Sequence, residues 1–167
     1  MRLTDHTNDL RAGATVAGER TDGVIALLNL VLADECLLYS RTRNLHLNLD
    51  VSDQPELRQL LADQFDSISV NIDLVVEQIE ARGGYALATM ADFLQHTRLH
   101  PRPGEHPPAG RVLQQLSNDH RCIIRSLLDD LPACVQQTSA AGTAALFGQL
   151  AARHGMLLRE ITGALAE

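Results

Sequence analysis

Asp73 and Glu77 stand four residues apart in a stretch whose apolar residues recur at helical spacing. Four residues are about 400° of helical turn, so the two carboxylates lie ~40° apart on one helix face. Upstream, His46 sits near the end of a second apolar stretch. Hard oxygen donors with one or two imidazoles suit a divalent transition metal and leave open positions for an oxidant. By spacing alone, an acid pair of this kind is most often a solvated face, and a single histidine near a helix end is usually structural. Both readings stay open on the pattern itself.

The remaining reactive side chains read differently. His120 and His154 fall inside apolar helical patterns and are expected as core or interface residues. His96, His100 and His106 lie in and around a proline-rich segment, where a surface metal is the one role they suggest. Cys36, Cys122 and Cys134 are odd in number and sit within helical patterns, so they read as buried thiols of a reducing compartment. The sequence holds no Cys-x-x-Cys pair, no Ser-His-Asp order and no glycine-rich phosphate loop.

A chain of 167 residues is one ordinary domain, and its 45% apolar content excludes disordered and collagen-like classes. Leu and Ala dominate, Trp is absent and aromatics make up 3%, which favours helix over sheet. There is no Lys, and the net charge is -7. An acidic chain without a basic cluster is a poor nucleic-acid binder, because phosphate binding depends on Lys and Arg displacing counterions. Met1 is followed by a polar tail, and no apolar run free of charges is long enough to span a bilayer. The expected setting is therefore cytoplasmic, with no membrane partner.

The elements that must position these residues follow from the pattern. Residues 1–20 are polar and read as a loose arm preceding one bundle domain over 21–167. A first long helix is expected from Thr21 or Asp22 to about Asn48, buried nearly all round from Val24 to Leu38. A second starts near Pro55, with Ser52 or Asp53 as cap, and runs to about Arg82, where Gly83-Gly84 ends it. Its apolar stripe runs from Leu57 to Ile79, with Asp66, Asp73, Glu77 and Glu80 beside it. A shorter helix over Ala86–Thr97 is followed by a proline-rich loop, His100–Pro108. A third long helix over Ala109–Gln137 has Leu127, Leu128 and Leu131 among its inward residues, with Pro132 in or near its last turns. A fourth spans Thr143–Ala166. The fold class is all-α. The short links make neighbours antiparallel, and the long crossover between the second and third helices is the ferritin-like connectivity of a four-helix bundle.

Particular residues sharpen this. Leu28 through Glu35 and Leu38 through Asn48 resemble the first helix of the Dps family, the ferritin-like miniferritins. Gln64-Phe65, Ile72-Asp73, Glu77-Gln78-Ile79 and Gly83-Gly84-Tyr85-Ala86 resemble its second helix and the turn after it. Asp92-Phe93-Leu94 and Arg98-Leu99 resemble the short helix in its crossover, which ordinary ferritins lack. Asp119-His120, Ile123-Ile124-Arg125 and His154 fit its last two long helices. The resemblance covers about residues 22–166.

It implies a hollow homo-dodecamer, built from two-fold dimers, that oxidises Fe(II), usually with hydrogen peroxide, and stores the ferric iron inside. The family's ferroxidase site lies across the two-fold interface, with two histidines from one subunit and an Asp and a Glu from its mate. Carried over, the metal residues are His46, Asp73 and Glu77. The second histidine, twelve positions after the first, falls on Arg58, a further Asp one turn later falls on Ala62, and the aromatic residue after the first histidine is Leu47. Guanidinium stays protonated and offers no lone pair. On its own helix Arg58 is about 22 Å from Asp73, but across a two-fold it would approach the mate's carboxylates, where a bidentate ion pair can replace the metal. Two outcomes follow: a weakened ferroxidase, or a shell or partner-binding protein without that activity, its dimer held by an Arg-carboxylate bridge. The family's three-fold pore acids have no equivalent in Ser139–Ala145, which leaves Asp129 and Asp130, about three helical turns upstream, as the nearest candidates. Family members that coat DNA often use a Lys-rich tail, so tight DNA binding is not expected here.

Overall fold

Leu, Ala, Arg and Glu recur between residues 6 and 48 with no proline among them, a composition that sustains helix. In the computed structural model this stretch is one helix, α1 (His6–Asn48). The structure describes residues 6–48, 55–101, 108–136 and 140–166, with α1 side chains from Gly23 onward. The helix therefore begins well before Thr21 and Asp22, and the stretch expected as a loose arm is helical from His6. The expected caps Ser52 and Asp53, together with His106, lie outside the described residues.

The second long helix, α2 (Pro55–Glu80), stops two residues short of the expected Arg82. The stop is made by the glycines. Gly83 takes φ +71°, which any other residue would resist. The N–H of Gly84 then donates to Ile79 O at 3.0 Å and that of Gly83 to Glu80 O at 2.8 Å. A Cβ on Gly84 would come within 2.9 Å of the Ile25 side chain, so α1 also depends on a bare backbone there.

The crossover helix α3 (Met90–His96) is shorter than the Ala86–Thr97 expected. Thr89 and Asp92 close a reciprocal capping box that fixes its first residue. Before it, the chain is held extended: Asn29 on α1 accepts the Leu87 N–H at 3.0 Å and donates to Tyr85 O at 3.2 Å. Two long helices complete the bundle, α4 (Ala109–Val135), ending two residues before Gln137, and α5 (Ala141–Ala164). Pro132 is inside the last turn of α4, near enough to the end to cost little.

Contacts between helices give the directions. As α1 runs back from His46 to Ile25, its partners on and after α2 advance from Phe65 to Gly84, so the two are antiparallel. Gln64 meets Leu157, and Asn71 meets Arg153, so α2 and α5 are antiparallel. Arg41 meets Asp119, while Asp34 and Asp130 share Arg98, so α1 and α4 are antiparallel. It follows that α2 and α4 point the same way. The segment between them must therefore travel the length of the bundle, as the crossover does.

Leu28, Leu32, Leu38, Leu61, Ile68, Leu116, Ile123, Leu127, Phe147, Leu150 and Ile161 fill the core and are fully buried. Leu128, expected to face inward, is instead 51% exposed, because it lies off the stripe that Leu116, Ile123 and Leu127 define. The stretch Gly23–Asn48 has a mean hydropathy of 1.6 and by length and composition could cross a membrane. Here it lies against three other helices with Asp34 and Glu35 fully buried in polar contacts, which is the pattern of a bundle's core helix.

Candidate metal site and the polar core

His46 is half-buried near the end of α1 with its ring edge-on to Phe65 of α2, centroids 5.2 Å apart. Phe65 also takes Tyr39 edge-on at 6.0 Å and the Arg43 guanidinium at 5.1 Å from its ring centre. One α2 aromatic thus orients both the imidazole and a cation. His46 Nδ1 is buried without a hydrogen-bond partner. Burial, and then the positive charges of Arg58 and Arg43, hold the imidazole below its usual range, against a smaller opposing effect of Asp66. The neutral form is the one that ligates metal, yet two guanidinium groups stand close enough to oppose an arriving cation.

Asp73 and Glu77 are both exposed on α2. They share a face, as the four-residue spacing requires. Among the described residues no group of three or more His, Cys, Asp or Glu comes together to hold a metal, so His46, Asp73 and Glu77 do not converge within one chain. Of the two acids expected to aid iron entry, Asp129 is exposed, whereas Asp130 accepts a hydrogen bond from Arg98 at 2.6 Å. That ion pair cancels much of the potential Asp130 was expected to supply.

The most heavily built polar contacts lie elsewhere. Asp34 is fully buried, and it accepts the Arg98 N–H at 2.6 Å, the Arg98 Nε at 2.8 Å and the Thr97 hydroxyl at 2.9 Å. Burial lowers the Arg98 pKa, but the charge and hydrogen bonds of Asp34 and Asp130 outweigh it and raise the value overall. These bonds tie the end of the crossover to α1 and α4. Next to them, Arg41 pairs with Asp119 at 2.5 Å and also donates to His100 O.

Through the bundle centre runs a second chain with one member from each long helix. Glu35 Oε1 lies 2.7 Å from His154 Nε2. His154 Nδ1 lies 2.9 Å from His120 Nδ1, and His120 Nε2 lies 3.2 Å from Gln64 Oε1. All four residues are fully buried. His120 and His154 are thus core residues, as expected, whereas the parts played by Glu35, Gln64 and Asp34 were not foreseen. A signal was present: Asp34-Glu35 interrupts an otherwise apolar helix, and Gln64 and Asn71 stand in register with Leu61, Ile68 and Val75. A buried polar residue on an apolar stripe must find a partner.

Four long helices with this connectivity and a short helix in the crossover define a ferritin-like bundle. The family model described as a Ferritin-like domain matches residues 25–162, and the chain belongs to that family. It is 31% identical over 144 residues to an uncharacterised low temperature-induced protein of Nostoc sp., covering 86% of this chain and 80% of that one. Among solved structures it is similar to Dps from Thermosynechococcus elongatus, with a TM-score of 0.81 and 20% identity over 89% of this chain and 94% of the other. It is likewise similar to a dodecameric thioferritin, the bacterioferritin-related protein of Bacteroides fragilis, with a TM-score of 0.78 and 14% identity over 87% and 86% of the two chains. The fold is that of the Dps proteins.

Proposed function

We propose that the chain assembles into a homo-oligomeric ferritin-like shell that takes Fe(II) as substrate and oxidises it slowly at sites shared between two copies. His46 of one copy would supply a neutral imidazole, and Asp73 and Glu77 of the other would supply the oxygen donors. The observation that carries this reading is a half-buried imidazole with an unpartnered nitrogen near the end of α1 and an exposed acid pair on α2 that, among the described residues, do not come together within one chain, so that a second copy is needed to complete the set. The Dps fold and the dodecameric neighbour support a shell, with two-fold dimers building a dodecamer. Free thiols at all three cysteines suit a reducing cytoplasm. Residues 1–20 would form an arm outside the bundle domain of 21–167.

A second reading has an observation of its own. The Arg58 and Arg43 charges both act on His46, and a guanidinium at that spot would meet the second copy's Asp73 and Glu77 as readily as a metal would. The shell would then be locked by an Arg-carboxylate bridge and would not oxidise iron. Asp129 is the remaining acid for cation entry in either case.

Stopped-flow oxidation of Fe(II) by hydrogen peroxide separates the two. For a slow but working site, the Asp73→Asn/Glu77→Gln double variant loses the slow wild-type oxidation phase, and Arg58→His accelerates that phase roughly tenfold or more, the scale of a strengthened ligand set. A wild type no faster than the double variant, with a fast phase appearing only in Arg58→His, establishes the locked shell instead. No response to any of the three substitutions sinks both readings.

A further inference from the structure

A cavity of about 370 Å³ lies between the end of the crossover and the first half of α4, and it shares no residue with His46 or the acid pair. That volume is far above the ~30 Å³ share of one water and falls in the range of organic-ligand sites. One wall is fixed before any ligand arrives. Arg98 is tied to Asp34 and Asp130, and Leu99 is only 3% exposed. Arg41 donates to His100 O while it pairs with Asp119 on α4. These bonds hold the crossover against α4, so a ligand meets a shaped surface and little has to be ordered on binding. The other wall is one stripe of α4. Arg111, Gln115, Asn118 and Cys122 recur at steps of four, three and four residues, which keeps them on one helix face over about 16 Å.

Most of the charge around this cavity is already paired. Asp119 is held by Arg41, and Arg98 faces two carboxylates. Arg111 differs: it is exposed, and among the described residues its guanidinium makes no hydrogen bond or ion pair. The side-chain amides of Gln115 and Asn118 are likewise without partners among the described residues. An uncompensated guanidinium in a concavity selects an anion, and its planar fork matches a carboxylate or a phosphate through two parallel hydrogen bonds. Each amide offers both donors and an acceptor, which suits hydroxyl groups better than a second charge.

We propose that the cavity binds a small organic anion. Its carboxylate or phosphate sits on Arg111, its hydroxyl-bearing body runs along Gln115 and Asn118, and its apolar edge meets Leu99 and Cys122. A bare inorganic ion would leave both amides and most of the volume unused. The site stands whether or not the shell oxidises iron.

Isothermal titration calorimetry on the full chain near pH 7 tests this, with ribose 5-phosphate, malate, inorganic phosphate and uncharged ribose as probes. Ribose 5-phosphate or malate should bind with a Kd of roughly 1 mM or tighter, and the tighter of the two identifies the headgroup. Inorganic phosphate and ribose should each bind at least about tenfold more weakly, since each makes only part of the contacts. Arg111→Gln should weaken binding roughly tenfold or more by removing the two-bond contact. Asn118→Ala should weaken the organic anion and leave inorganic phosphate unchanged. Arg121→Gln removes an exposed arginine of α4 outside the cavity and should change nothing. Binding of neither organic anion would overturn the proposal. So would inorganic phosphate binding as tightly as ribose 5-phosphate, or a loss in Arg121→Gln equal to that in Arg111→Gln, which would mark a general charge effect.

Discussion

Arg98 shows what a single residue can carry here. Its guanidinium joins Asp34 on α1 to Asp130 on α4, and its own backbone N–H closes the Asp34 cage. Asp34 is fully buried, so removing the cation strands a carboxylate without water. Arg98→Ala should cost on the order of 3 kcal/mol, read as a fall in the urea midpoint at unchanged slope. Asp34→Asn combined with Arg98→Ala should cost less than Arg98→Ala alone, since no buried charge is then orphaned. At His46 the same physics is milder: the ring is half-buried and its neighbours repel its charged form. In the proposed shared site, metal binding by this imidazole would therefore resist acid further than an ordinary histidine allows, because protons compete less well for its lone pair.

At the scale of elements, the end of α2 decides where the crossover begins. Gly83 alone in that turn has a positive φ, and it sets the direction in which Gly84 passes beneath Ile25. Gly83→Ala should destabilise the chain by about 1 kcal/mol through left-handed backbone strain, visible in thermal unfolding. Gly83→Asn, which tolerates that region better, should recover part of the loss. If Gly83→Ala is neutral, the turn adapts and the glycine is not the stop. The short α3 is specified in the same local way by its Thr89–Asp92 box, which is why the chain before it is extended rather than helical.

For the whole molecule the dominant facts are an acidic chain without Lys and an outer surface bearing exposed Leu47, Tyr85, Met90 and Leu94. The first predicts no retardation of plasmid DNA in a gel shift at about 0.15 M salt. Retardation there would show that the arginines cluster into a basic patch. These four lie on and around α1 and α3, where self-association into the proposed shell would cover them, while Val70, Leu128, Val135 and Met156 are exposed on the other long helices.

Helix count, connectivity and the apolar stripes were legible in the residues alone, because 3.6-residue periodicity and the Gly and Pro breaks depend on local chemistry. His46, Asp73 and Glu77 were singled out by type and spacing, and Arg58 by the resemblance, and their role at a shared site stands as a proposal. The ends of helices were less legible: α1 runs on because nothing N-terminal of Thr21 stops it, and α3 starts late because a cap outcompetes a periodic pattern. Only the tertiary structure decided which polar residues meet. Asp34 with Arg98, and Glu35 with His154, are 64 and 119 positions apart. No periodicity encodes a pairing at such range, and burial, which forces each buried charge to find a partner, exists only once the helices have packed.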